Sequence, residues 1–324
     1  MLRLPRLFAA SVAFFLSAGG AVAGDKEIAR HVSFGGSCVK CELAGRNLSG
    51  ARIVGANFSG ANLMGANLRD ARFHASNFSG ADLTRADLSD TAMSGANFSD
   101  ADLTNARLHS TEANGVFFGG ATLSRADLSD AEATGSVFRK SIMISTVLRS
   151  ANLRGVSFEQ ADLSRAQMVD IKGQGANFSR ARLSGASLRS ADLRGANFGR
   201  AEAIGVSFRD ADMQGAALTA GVFNHASFRS ADLTGASLLN ARFDEADFRD
   251  ADLSRAVLIG ADLSSAIGLT QRQIDDACAG PGTRLPRGMV ARGCNGARMV
   301  SRHETAKPAM RLIPAIPAVP APPR

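Results

Sequence analysis

From Cys41 to Ser265 the chain divides into 45 consecutive five-residue units without an insertion, as in Ala81-Asp82-Leu83-Thr84-Arg85 followed by Ala86-Asp87-Leu88-Ser89-Asp90. The third residue of each unit is apolar and mostly large: 22 Leu, 14 Phe, four Met and one Ile, against three Ala and one Gly. Two residues earlier, Ala fills 32 of the 45 units. A period of five fits neither a 3.6-residue helix nor a two-residue strand, so each unit reads as one short side of a solenoid. The centre and the small residue then face inward, and the other three face solvent.

The number of sides follows from the phenylalanines. Phe58, Phe78, Phe98, Phe118, Phe138, Phe158, Phe178 and Phe198 recur every 20 residues, which predicts four sides per coil. A three-sided coil would need a period of 15. Beyond Phe198 the column continues as Leu218, Leu238 and Leu258, while Phe208, Phe228 and Phe248 take over another side, with Phe223 and Phe243 between. Bulk is redistributed around the coil rather than lost. Ala113, Ala133 and Gly173 each stand one unit before a Phe of the first column, which fits the same exchange. Four units per coil predicts about eleven coils and a rod about 50 Å long. No Pro occurs between Leu7 and Gly280, as expected where each coil donates its amide hydrogens to the next.

The net charge of +7 is not spread over this rod. Residues 41–265 carry 23 Lys and Arg against 25 Asp and Glu, or −2, whereas residues 266–324 carry nine basic and three acidic residues, or +6. The basic excess belongs to the ends, so a nucleic-acid-binding face is not expected. At the start, Arg3 and Arg6 precede the apolar run Leu7 to Leu16, and Ala21-Val22-Ala23 supplies a small-x-small cleavage site. Residues 1–23 therefore read as a signal peptide cleaved after Ala23, giving a mature chain from Gly24 in the periplasm or secreted. The alternative is the same segment retained as an anchor, although its apolar run is short for a span. No transmembrane span is expected in the mature chain.

The motif Ala-(Asp/Asn)-(Leu/Phe)-x-x, covering about 70% of the chain, resembles the pentapeptide-repeat family. The resemblance implies an all-β fold, a right-handed quadrilateral β-helix with four pentapeptides per coil. Function transfers less well than fold. The best-known members resemble B-form DNA in shape and charge and bind DNA gyrase; those are cytoplasmic and strongly acidic, and this chain departs from them in its signal peptide and its nearly neutral rod.

Four cysteines in an exported chain suggest disulfides. Cys38 and Cys41 open the rod and Cys278 and Cys294 follow its end, so the rod separates the pairs and the expected bridges are Cys38–Cys41 and Cys278–Cys294. Cys38-Val39-Lys40-Cys41 also admits a redox reading, against which stand its place at a solenoid's start and the lack of a βα context. After the last coil, Thr270-Gln271-Arg272-Gln273 forms a capping-box signature that predicts a short helix to about Ala279, with Ile274 and Ala277 inward. The run Leu269-Thr270-Gln271 to Cys278, then Leu285-Pro286 to Cys294, resembles C-terminal segments of exported proteobacterial members of the same family. The expected organisation is signal peptide 1–23, N-terminal cap 24–40, β-helix 41–265, C-terminal cap 266–294 and a Pro-rich disordered or polyproline-like tail 295–324.

Two surface columns stand out as a candidate strip. Arg189, Arg209, Arg229 and Arg249 recur at coil spacing, and Asp192, Asp212, Asp232 and Asp252 run parallel three residues on. Stacked like charges repel, so the bland expectation is a ladder of salt bridges between the columns around a corner, and the functional one is a face for an acidic polymer or a protein. His74, His109 and His225 fall on different columns, and His31 and His303 lie outside the rod. No metal site, cofactor or catalytic group is expected. The function predicted is a non-enzymatic exported scaffold that engages an unknown protein or an envelope polymer. The alternatives are a DNA-mimicking topoisomerase-binding protein and a thiol-disulfide protein using Cys38 and Cys41.

Overall fold

A computed structural model describes residues 36–291 and 293. It is a right-handed β-helix, and from Ser37 to Ile267 its parallel ladder pairs second-position residues 20 apart, as in Asp82 with Asp102 and Asp87 with Arg107. Four pentapeptides thus complete each coil. The first and third residues of the units are buried almost throughout, while the other three are mostly exposed or half-buried. Each side is a single bridge between corners rather than an extended strand.

One unit shows how the backbone is satisfied. The N–H of Asp82 donates to the Ala61 carbonyl of the preceding coil at 2.9 Å, and those of Leu83 and Arg85 donate to Asp102 and Thr104 of the following coil at 2.7 and 3.0 Å. The Ala86 N–H turns back to the Leu83 carbonyl at 2.9 Å, closing the corner. The fourth-position N–H, on Thr84, has no backbone partner and donates to Asp82 Oδ1 at 2.9 Å. Asp or Asn at the second position is therefore a local acceptor that completes the hydrogen bonding of the turn, a role that a reading of these residues as surface charge misses.

The corner imposes a second requirement. Every fifth residue from Lys40 to Gly260 has φ between +54° and +72°, and of these positions 18 are glycine and 27 are not. With only the third residue of the four in this region, the corner belongs to the type II class. L-residues pay roughly 1–2 kcal/mol to enter it, yet Asp, Arg and Ser recur there. None of the 27 is Val, Ile or Thr, whose branched Cβ is least compatible with it.

Inside the rod, the Phe58–Phe198 column is a continuous stack with ring centroids 4.6–5.3 Å apart and rings tilted by 2–21°. The hand-over predicted at Phe198 is an edge contact with Phe208 at 5.4 Å, after which Phe208, Phe228 and Phe248 stack at 5.0 Å. Local swaps keep the volume constant. Ile171 fills space beside Gly173, where an added Cβ would lie 3.4 Å from it, and Gly221 yields to Phe223, whose Cε2 would meet such a Cβ at 2.5 Å. Between Ser76 and Thr146 several inward Ala sites hold Ser or Thr instead, and their hydroxyls donate to corner carbonyls such as Ile53, Leu108 and Phe138 at 2.7–2.9 Å.

Both ends depart from the expected boundaries. Among the described residues the ladder starts at Ser37, and Gly36–Lys40 already makes a full unit with Cys38 at its centre, Lys40 at φ +55° and the Cys38 N–H on the Asn57 carbonyl at 2.7 Å. At the other end, α1 (Gln271–Asp276) follows the N-cap Thr270 with both bonds of the capping box, and Ile274 and Ala277 are buried. It stops before Ala279 because Cys278 rejoins the ladder, its N–H on the Ala256 carbonyl and its carbonyl accepting from Leu258, both at 2.8 Å. Gln273 Nε2 ties α1 to the Phe248 and Ala251 carbonyls at 3.0 and 2.8 Å. The predicted signal peptide and the whole of the tail 295–324 lie outside the described residues. Among the described residues no helix is long and apolar enough to cross a membrane.

Candidate binding surface

The two charged columns flank one corner of the rod, because fourth-position Arg and second-position Asp belong to successive sides. They do not pair with each other, contrary to the expected ladder. Asp192 accepts two bonds from Arg194 at 2.8 and 2.6 Å and one from the Gln174 amide, and Arg194 also reaches Asp212 at 3.4 Å. Arg209 turns to Asp210 at 3.3 Å and Arg249 to Asp247 at 2.5 Å. Arg189 and Arg229 form no ion pair among the described residues. The reason is local: each Asp is anchored within its own side by the fourth-position N–H, as Asp232 is by Thr234 at 2.9 Å and Asp252 by Ser254 at 2.8 Å.

These contacts shift protonation. Hydrogen bonds from Arg194 hold the Asp192 carboxyl below the usual carboxylate range, partly opposed by burial, and Arg249 does the same for Asp247. The Ser264 hydroxyl lowers Asp262, again against burial, and Arg284 adds to the effect. The corner therefore carries two fixed, oppositely charged stripes, with Arg189 available to an outside anion and Arg229 acting on Asp247 from a distance.

Cys38 and Cys41 are joined by a disulfide, their Cα atoms 5.2 Å apart. Both are half-buried against the core, and Cys38 sits at an inward centre, so the bridge closes the first turn of the rod. Cys278 is also disulfide-bonded; Cys294, its expected partner, lies outside the described residues. His109 and His225 stand 3.6 and 3.3 Å from the carboxylates of Asp130 and Glu245 at neighbouring corners. Among the described residues no three His, Cys, Asp or Glu side chains converge as a metal site.

One surface feature escapes a reading focused on charge. Phe117, Ile142 and Ile144 are 51%, 43% and 36% exposed on two neighbouring sides in the middle of the rod. Its sequence signal is the second position, where Phe117, Val137, Ile142 and Val147 stand in place of Asp or Asn.

A family model described as pentapeptide repeats matches the chain in eight copies, over residues 41–80, 66–105, 81–118, 101–139, 141–172, 174–210, 211–250 and 240–267. Among solved structures the chain is similar to HetL, a pentapeptide repeat protein involved in heterocyst differentiation regulation in the cyanobacterium Nostoc. That likeness has 30% identity, covers 67% of this chain and 90% of that one, and gives a TM-score of 0.41. A pentapeptide repeat protein of the Arabidopsis thaliana thylakoid lumen is 25% identical over 32% of this chain and 71% of its own, with a TM-score of 0.31. Full-length QnrB1, a plasmid-mediated fluoroquinolone resistance protein, is 19% identical over 71% and 91%, with a TM-score of 0.32. No curated protein matches the sequence.

Proposed function

The chain belongs to the pentapeptide-repeat family, and from that premise we propose that it is a non-enzymatic exported scaffold whose rod binds a protein or an anionic envelope polymer through its charged corner. The observation that carries this reading is the column of Arg189, Arg209, Arg229 and Arg249, repeated at coil spacing on a rigid ladder and only partly neutralised by Asp210 and Asp247. Such a column presents guanidinium groups roughly 4.8 Å apart, a spacing a flexible surface cannot hold. Arg suits the role because its planar fork binds carboxylates and phosphates in two-point contacts. The signal-peptide pattern of residues 1–23 supports placing this surface in the periplasm or outside the cell.

The test combines fractionation with capture. Mature protein beginning at Gly24 is expected in the periplasmic or extracellular fraction. Crosslinking in intact cells should recover a partner that is lost when all four arginines become Glu while the unfolding transition is unchanged. Cytoplasmic retention together with capture of a topoisomerase would replace this reading with the DNA-mimic one. Steady turnover in an insulin-reduction assay, abolished by Cys38→Ser, would replace it with the thiol-disulfide one.

A further inference from the structure

The middle of the rod gathers apolar side chains at second positions on two neighbouring sides. At Phe117, Val137, Ile142 and Val147 no side-chain acceptor stands ready for the fourth-position N–H, and nothing is gained inside the rod, since these side chains point outward. Exposed apolar side chains gathered on neighbouring sides, here Phe117, Ile142 and Ile144, mark an interaction surface. Phe117 bridges to Val137 on one side and Thr122 to Ile142 on the next. Between those sides lies the Gly119-Gly120 corner, which carries no side chain.

The charges around this corner are antisymmetric. One coil before it stands Asp100 and one coil after it stands Lys140, both at the fifth position of their units and both exposed. We infer that the corner is a contact between two copies of this chain, packed antiparallel and mid-rod to mid-rod about a two-fold axis that crosses the rods at Gly119-Gly120. With that axis, a residue one coil toward the N-terminus of one copy faces the residue one coil toward the C-terminus of the other. Asp100 then meets Lys140 of the second copy, and the symmetry makes the contact twice. A parallel arrangement in register sets Asp against Asp and Lys against Lys, so the same charges reject it. Phe117 and its symmetry mate meet at the centre. Three coils extend only about 15 Å along the rod, short of a standard interface, so the dimer is weak and forms with rising concentration.

Sedimentation velocity of the full mature chain over a concentration series tests this. The wild type should approach twice the monomer mass, and Phe117→Asn with Ile142→Asn should remain monomeric, since Asn is the residue this position holds at 97 and 177 and leaves the turn intact. Asp100 and Lys140 both occupy positive-φ corners, at +58° and +59°, where Asp and Lys each occur, so exchanging them spares the fold. Asp100→Lys or Lys140→Asp alone should weaken the dimer by roughly tenfold, and the doubly exchanged chain should regain wild-type affinity. A Lys140-to-Lys140 amine crosslink between copies is expected as well. A monomer at every concentration, a dimer indifferent to these exchanges, or an intramolecular Lys140-to-Lys307 crosslink in a monomer, which would assign the patch to the chain's own tail, overturns the proposal.

Discussion

Ser227 and Ser230 lie three residues apart in one unit, and the structure predicts opposite responses to the same substitution. Ser227 is a half-buried second-position residue in the ladder, whereas Ser230 is an exposed corner residue with φ +55°. Neither side chain makes a hydrogen bond among the described residues. Ser227→Val should change stability by no more than about 0.5 kcal/mol, as at most surface sites, because extended backbone accommodates a branched Cβ and Val already stands there at 137, 147 and 257. Ser230→Val forces a β-branched residue into the left-handed region and should cost about 1–2 kcal/mol beyond what Ser already pays. Ser230→Gly should stabilise by about 0.5 kcal/mol, the relief of strain being partly offset by the freer unfolded chain. Urea unfolding followed by circular dichroism reads these differences as midpoint shifts. Amide exchange at residues 223–233 shows whether the opening is local, as expected of a repeat array. Equal effects of Val at 227 and 230, or a destabilising Gly, would refute the argument from corner conformation.

Phe138, stacked between Phe118 at 4.6 Å and Phe158 at 5.2 Å, should lose about 3–5 kcal/mol on truncation to Ala. Its replacement by Leu, which fills the same column at 218, 238 and 258, should cost under about 1.5 kcal/mol by urea unfolding. Gly221→Ala places a Cβ 2.5 Å from Phe223 Cε2, so it should destabilise by about 1–3 kcal/mol, and adding Phe223→Leu should recover most of that. The carboxyls of Asp192, Asp247 and Asp262 sit below their usual value of 3.8. The folded state therefore holds fewer protons than the unfolded state in that range, and their stabilisation, present above pH 3.8, is lost as pH falls through the lowered values. Asp247→Asn should flatten the acid limb of a stability-against-pH curve, and an unchanged limb would count against the Arg249 contact.

Much of this fold is written in columns. The 20-residue recurrence from Phe58 to Phe198 gives four sides because aromatic rings one coil apart are direct neighbours, and sequence period becomes spatial period without intermediate steps. The corner conformation was also written, as the absence of Val, Ile and Thr from every fifth residue between Lys40 and Gly260, but that signal is a missing residue type rather than a present one. The unit Gly36–Lys40 hides because Gly replaces Ala and Cys38 replaces Leu or Phe. Charge pairing was the least legible part. Whether Arg249 turns to Asp247 or to Asp252 depends on a corner whose side-chain directions sequence spacing does not encode, and on the N–H that fixes each second-position Asp. The mid-rod patch was visible at Phe117 and Ile142 only to a reader who knows that Asp or Asn at that position is an internal acceptor.

The central claim is that 20 residues advance the chain by one coil along a straight rod. Pulsed electron-spin distances between labels on one side measure that advance directly. Labels at Ser157 and Ser237, four coils apart, should lie roughly 19 Å apart, and labels at Asn77 and Ser237, eight coils apart, roughly 38 Å. Distances near these two values are the predicted result; distances of roughly 26 and 51 Å, which a 15-residue coil would give, or a longer pair no farther apart than the shorter one, would contradict the account.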